Sequence, residues 1–86
     1  VAKFKSERYW LQKGNLLQKY GKTAEALEAF VQARTLNTKL SEAWRKEADL
    51  QKGKNNTAYK EALSKYLELN PLDKAARAEL DKASAQ

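Results

Sequence analysis

Apolar residues recur at steps of three and four along five consecutive stretches of this chain, which is the spacing of one buried helix face. The stretches are separated by Gly21, Asn37-Thr38, Gly53 and Asn70-Pro71. We therefore predict five helices, over about residues 6–20, 23–36, 41–52, 57–69 and 71–85. No stretch alternates polar and apolar residues for long enough to indicate a strand, so the predicted class is all-α.

Residues that suit a helix start stand before three of these stretches. Thr23 is a suitable N-cap for the second helix, and Thr57 or Asn56 is one for the fourth. Asn70 is expected to cap the fifth helix, with Pro71 at its first position. The fifth helix is predicted to bury one edge, made of Leu72, Ala76, Leu80 and Ala83.

Two tryptophans stand 34 residues apart, and each opens a similar order of residues. A small residue follows each tryptophan four positions later. Further along each copy, an alanine is followed four positions later by an aromatic residue. The two copies are Trp10, Gly14, Ala26 and Phe30, then Trp44, Ala48, Ala62 and Tyr66. A period of 34 residues is typical of helix-turn-helix solenoids. This pattern resembles the tetratricopeptide repeat family.

The resemblance implies a fragment of a right-handed solenoid built from antiparallel helices, all within one domain, residues 1–86. Repeat one would cover about 7–40 and repeat two about 41–71. The fifth helix, about 71–85, would be the capping helix that covers the last open apolar face. Small residues such as Gly14 and Ala48 would leave room for the aromatic rings of the facing helix.

The chain departs from the family pattern three residues after each tryptophan. The family usually has an apolar residue there, whereas this chain has Lys13 and Glu47. Since the two positions match in stacked repeats, one hypothesis is that these charges pair across the repeat boundary. Such a pair, if exposed, would contribute only about 0.2–1 kcal/mol.

The composition excludes several classes of site. The 86 residues are 42% hydrophobic and 33% charged, which suits one folded helical domain. Because the chain has no cysteine and no histidine, it can form no disulfide, no zinc site of the usual ligands and no Ser-His or Cys-His pair. The glycines are isolated, so no phosphate-binding loop can be written. We expect no catalytic residues, no metal and no cofactor, and therefore no enzyme.

The sequence says less about location. No stretch approaches the roughly 20 apolar residues that cross a bilayer, so no membrane insertion is expected. The absence of cysteine agrees with a reducing compartment without requiring one, and we expect a cytoplasmic location. The first residue is Val1 and the chain lacks methionine. We therefore expect it to be part of a larger parent protein.

In tetratricopeptide proteins the first helix of each repeat lines a concave groove that binds an extended peptide or a partner helix. By position, the resemblance implies a groove made of Leu11, Gln12, Asn15, Gln18 and Lys19 in repeat one, and Arg45, Lys46, Asp49 and Lys52 in repeat two. The charges of this groove are mostly basic. It is expected to bind a protein or peptide with acidic character. The alternative is an ordinary solvated face of a chain with net charge +6.

Some members of the family hold the C-terminal carboxylate of chaperone tails, and this chain shares the Gly14-Asn15 pair with them. The position of their clamp lysine is Leu11, however, and that of a second-repeat asparagine is Lys46. The clamp activity is therefore not expected here.

Two further functions are the alternatives to peptide binding. Nucleic-acid binding is suggested by the sequence isoelectric point of about 9.6 and by basic residues interleaved with aromatics. It is disfavoured because aromatics such as Tyr59 and Tyr66 stand at core spacings. Weak self-association through an apolar edge around Phe4 and Tyr9 is the other alternative.

Overall fold

The computed structural model describes residues 6–85 and contains five helices in that range. They are α1 (Glu7–Lys19), α2 (Thr23–Leu36), α3 (Ser41–Gln51), α4 (Asn56–Leu69) and α5 (Lys74–Ser84). The same range contains no strand. The predicted all-α class with five helices is confirmed.

Each helix packs mainly on its neighbours in the chain: α1 on α2, α2 on α3, α3 on α4 and α4 on α5. Because short turns join the helices, consecutive helices fold back on one another. The molecule is elongated, with extents of 45 × 25 × 17 Å. Such a row of neighbouring contacts agrees with an all-α helical repeat fragment.

The first of two apolar clusters lies where α1, α2 and α3 meet. Its buried members are Leu11, Ala26, Phe30, Ala33 and Ala43, and Trp10 packs on its edge. A Cβ atom built on Gly14 would lie 2.6 Å from Cε1 of the Phe30 ring, far inside van der Waals contact. The predicted role of Gly14, which leaves room for an aromatic ring on the facing helix, is therefore confirmed.

The second cluster joins α3, α4 and α5. Its buried members are Ala48, Tyr59, Ala62, Leu63, Leu67, Ala76 and Ala83, with Trp44, Tyr66 and Leu80 packed against it. Trp44 is only partly buried, and its indole Nε1 donates a hydrogen bond to the carbonyl oxygen of Thr38 at 2.9 Å. The small and aromatic residues of both sequence copies thus lie in or against the two clusters.

The turns after α1 and α3 depend on glycines with a left-handed backbone. Gly21 has φ of 78° and Gly53 has φ of 82°, values that residues with a Cβ atom rarely adopt. Both helices end within one residue of the predicted position, because these glycines reverse the chain at that point.

The predicted caps of α2 and α4 are each displaced toward the N-terminus. The N-cap of α2 is Lys22, whose carbonyl accepts from the amide of Ala26 at 2.9 Å, so Thr23 is already the first helical residue. Asn55 caps α4, because its side chain accepts from the amide of Ala58 at 3.0 Å. The assignment of the α4 cap to Asn56 or Thr57 is therefore wrong by one or two positions.

The start of α5 also differs from the prediction. Asn70, Pro71 and Leu72 form a turn, and Leu72 is 90% exposed and therefore no part of the buried edge. The N-cap is Asp73, whose carboxylate accepts from the amide of Ala76 at 3.0 Å. Its other carboxylate oxygen accepts from the hydroxyl of Tyr66 at 2.6 Å. Asn70, the predicted cap of α5, is instead the C-cap of α4, so that assignment is wrong.

Candidate functional site

The outward side of α3 carries four of the residues predicted to bind a partner. Arg45, Asp49 and Lys52 follow one another at steps of four and three residues and so share one side of the helix. Lys46 stands beside Arg45. The opposite side of α3 is buried through Ala43, Glu47 and Ala48. We call the set Arg45, Lys46, Asp49 and Lys52 the α3 face.

Arg45 already binds two carboxylates of its own chain. Its Nη2 atom lies 2.7 Å from Oε2 of Glu79 on α5, and its Nε atom lies 3.3 Å from Oδ1 of Asp49 one turn along α3. The guanidinium carbon also lies 5.7 Å from the centre of the Tyr66 ring. These contacts fix the guanidinium at the junction of α3, α4 and α5.

Glu79 is the residue of this site that the sequence did not indicate. Its Oε1 atom accepts a hydrogen bond from the hydroxyl of Tyr59 at 3.0 Å and lies 3.9 Å from Nζ of Lys52. Partial burial alone would raise the pKa of Glu79, but the hydrogen bonds from Arg45 and Tyr59 and the nearby positive charges lower it below the ordinary value of 4.5. Glu79 is therefore an ionised carboxylate held against the α3 face.

One signal in the sequence could have identified Glu79. It follows Arg45 by 34 residues, the same separation as that between Trp10 and Trp44. The first helix of a further repeat would lie beside α3, at the place that α5 occupies. A negative charge 34 residues after Arg45 would then lie close to the guanidinium of Arg45. The apolar edge predicted for α5 does not by itself reveal this polar contact.

The residues predicted on α1 divide into two groups. Lys19 is exposed and Asn15 is half-buried, so both can contribute to a surface. The Oδ1 atom of Asn15 is buried and accepts no hydrogen bond from any residue in the range 6–85. Contrary to its predicted place in the groove, Leu11 is only 8% exposed, because it packs with Phe30 in the first apolar cluster.

The charge of the site is less positive than the sequence implied. Lys19 and Lys46 form no ion pair with any other part of the chain that the structure describes. Arg45 and Lys52, in contrast, both face Glu79. The basic residues of the site are therefore of two kinds. Lys19 and Lys46, which we call the open lysines, have no ion-pair partner within residues 6–85. Arg45 and Lys52 each lie beside the carboxylate of Glu79.

The hypothesis that Lys13 pairs with Glu47 is wrong. Glu47 is buried and forms an ion pair and hydrogen bond with Arg34 of α2. The guanidinium of Arg34 lies 4.4 Å from the centre of the Trp44 ring. Lys13 has a different environment, since its Nζ atom lies 5.1 Å from the centre of the Trp10 ring. The two positions match in sequence, but Glu47 faces Arg34 of α2, whereas Lys13 lies over the Trp10 ring of its own helix.

Of the two residues predicted to take part in self-association, the structure describes only Tyr9. Phe4 lies outside the described residues. Tyr9 is 38% exposed, and its ring packs edge-on against Trp10 with a centroid separation of 5.2 Å. Self-association thus stays a prediction.

Comparison with known proteins identifies no family. The chain matches no protein-family model, and no curated protein is significantly similar to it. Within residues 6–85, each helix is too short or too polar to pass through a bilayer. The function must therefore be inferred from the chemistry of the α3 face and its surroundings.

Proposed function

We propose that this chain is a tetratricopeptide-like interaction module that binds an acidic peptide or protein segment through the α3 face and the adjoining side of α1. The observation that carries the proposal is that two carboxylates already bind to Arg45. Its guanidinium lies on the proposed binding side and binds the carboxylates of Asp49 and Glu79. A guanidinium placed in this way can bind carboxylates by charge-assisted hydrogen bonds.

The open lysines support the same assignment. Lys46 is adjacent to Arg45 and Lys19 lies at the C-terminal end of α1, and neither has an ion-pair partner among residues 6–85. A ligand carboxylate at either lysine would form an ion pair that no residue in the range 6–85 forms with it. Such open positive charges also accelerate association with an acidic partner.

The expected affinity is modest and depends on salt. Each partly exposed ion pair contributes only about 0.2–1 kcal/mol, so several pairs must act together. Exposed pairs are also screened at physiological ionic strength, where the Debye length is about 8 Å. In this proposal the module acts by binding alone and takes no part in catalysis.

A direct test uses a fluorescein-labelled peptide of alternating glutamate and glycine, with fluorescence anisotropy as the readout. A peptide with glutamine in place of glutamate is the control for charge. We expect the acidic peptide to bind more tightly, and raised salt to weaken its binding.

The matched variants are Lys46→Glu on the α3 face and Lys65→Glu on α4. Both reverse one lysine, but Lys65 lines a separate cleft with Arg34 and Trp44. We expect Lys46→Glu to weaken binding several-fold more than Lys65→Glu. Equal effects of the two variants, or no difference between the two peptides, would contradict the proposed site. Salt-sensitive binding of mixed-sequence RNA in place of the acidic peptide would favour the nucleic-acid role.

A further inference from the structure

We propose that Arg45, Lys52 and Tyr59 form a carboxylate subsite, that Glu79 of α5 occupies it in this structure, and that an acidic ligand must displace Glu79 to reach it. This inference rests on the proposed function. It goes further because it names where one ligand carboxylate binds and which group of the chain competes with it.

The geometry around Glu79 is that of a filled anion site. Arg45 contacts one carboxylate oxygen at 2.7 Å, and the Tyr59 hydroxyl contacts the other at 3.0 Å. Lys52 lies 3.9 Å from the second oxygen. Two donors and an additional cation, supplied by α3 and α4, thus surround a single carboxylate. A ligand carboxylate in the same position would find the same three partners.

Glu79 can leave without detaching α5. The helix is held by Ala76 and Ala83, which are buried in the second cluster, and by the bond from Tyr66 to Asp73. None of these contacts involves the Glu79 side chain. Rotation of that side chain alone would therefore expose the subsite.

A cleft beside Glu79 offers a path for the ligand. It has a volume of about 290 Å³, and its lining includes Lys52, Asn56, Tyr59 and Lys82 as well as Glu79. The added lysine, Lys82, makes the approach more positive. The cleft thus leads an acidic side chain toward Tyr59 and Lys52, two of the three groups that hold Glu79.

The competition is tested with Glu79→Gln, which removes the competing charge and keeps the shape of the side chain. The matched control is Asp81→Asn, which changes the net charge equally at an exposed site on the same helix. Dissociation constants for the labelled glutamate-glycine peptide are measured at low ionic strength, after circular dichroism has shown unchanged helix content.

We expect Glu79→Gln to tighten binding by a factor of about 1.4 to 5 relative to Asp81→Asn, the range that corresponds to one partly exposed ion pair. Adding Arg45→Gln to Glu79→Gln should abolish the gain, because the ligand then loses the same partner. In the wild-type chain, the carbon-13 resonance of the Glu79 carboxyl should move toward that of a solvated carboxylate when the peptide is added. This second readout does not depend on the folding of any variant.

The outcomes separate this inference from the proposed function. Peptide binding that is weakened by Lys46→Glu but is the same in Glu79→Gln and Asp81→Asn overturns the subsite and leaves the proposed function standing. A Glu79 carboxyl resonance that stays unchanged at saturating peptide also overturns it. Failure of every variant and of the wild type to prefer the acidic peptide overturns both.

Discussion

The two helix pairs of this molecule solve the same packing problem in different ways. In the pair of α1 and α2, Gly14 admits the ring of Phe30, which is completely buried among apolar side chains. In the pair of α3 and α4, the matching positions are Ala48 and Tyr66, and Tyr66 is only partly buried. The helices of the first pair pack through apolar contacts, whereas those of the second pair also form hydrogen bonds.

Two of those hydrogen bonds come from tyrosine hydroxyls of α4 and join it to α5 and its N-cap. The hydroxyl of Tyr66 donates to Asp73, and the hydroxyl of Tyr59 donates to Glu79. A phenylalanine fills space and forms no such bond, while a tyrosine at the edge of a cluster can do both. The first pair should therefore respond to changes in side-chain volume, and the second pair to changes in charge and pH.

The largest effect is expected where packing alone acts. Phe30→Ala removes a completely buried ring, and we expect it to cost about 3–5 kcal/mol in the free energy of unfolding, measured by urea denaturation. A domain of this size has a total stability of similar magnitude, so the variant should be partly unfolded at 25 °C. A loss below about 1 kcal/mol would show that the first pair does not depend on this ring.

Gly14→Ala tests the same contact from the opposite helix. Alanine in the middle of a helix is favoured over glycine by about 0.5–1 kcal/mol, so an uncrowded site would be stabilised. Here the new methyl group would lie 2.6 Å from the Phe30 ring, and we expect a net destabilisation of about 1–3 kcal/mol. Combining it with Phe30→Leu should recover part of the loss. A variant as stable as the wild type would contradict the close approach of α1 and α2.

The second pair is tested by Tyr66→Phe, which removes the hydroxyl and keeps the ring. We expect a loss of about 0.5–1.5 kcal/mol, because one hydrogen bond to Asp73 disappears. The effect should be local, with faster amide hydrogen exchange in α5 and little change in α1 and α2. Equally faster exchange in all five helices would contradict the expectation that this bond stabilises mainly α5.

The smallest effect concerns pH and should arise at the second pair. The pKa of Asp73 is below its ordinary value of 3.8, because of its bonds from Tyr66 and from the Ala76 amide. The pKa of Glu79 is likewise below 4.5. Stability from these groups is complete above those ordinary values, which approximate the unfolded state, and is lost as the pH falls through the lower folded-state values.

We therefore expect the melting temperature of the wild type to fall on acidification below pH 4.5, the ordinary value for Glu79, more steeply than that of Asp73→Asn/Glu79→Gln. Thermal melts followed by circular dichroism measure both slopes. Phe30→Leu, which alters the first cluster and leaves both carboxylates in place, serves as the control and should keep the wild-type slope. Parallel curves for the wild type and the double variant would contradict the assigned role of the two carboxylates.

Much of the fold could be predicted because apolar spacing and glycine act locally. The five helices follow from steps of three and four residues, and the turns at Gly21 and Gly53 follow from a backbone that glycine permits. The close contact of Gly14 with Phe30 could also be anticipated, since a small residue facing a ring is a pattern visible in sequence.

The errors concern residues whose partners lie on another helix. Asp73, which caps α5 in place of Asn70, also accepts a hydrogen bond from Tyr66 of α4. Glu47 is buried because Arg34 of the preceding helix supplies its counter-charge. Leu11 matches a groove position of the repeat pattern, yet it packs with Phe30. Glu79 joins the candidate site through Arg45 on another helix. Local propensity carries no information about such pairs.

The most direct test of the proposed binding site is a nitrogen-15 chemical-shift titration of the wild-type chain with the glutamate-glycine peptide. We expect the largest shifts at Lys46, Asp49 and Lys52 on the α3 face and at Glu79 on α5, and little change at α4 residues such as Lys65. Shifts centred on Lys65, or no shifts at saturating peptide, would contradict the proposed site.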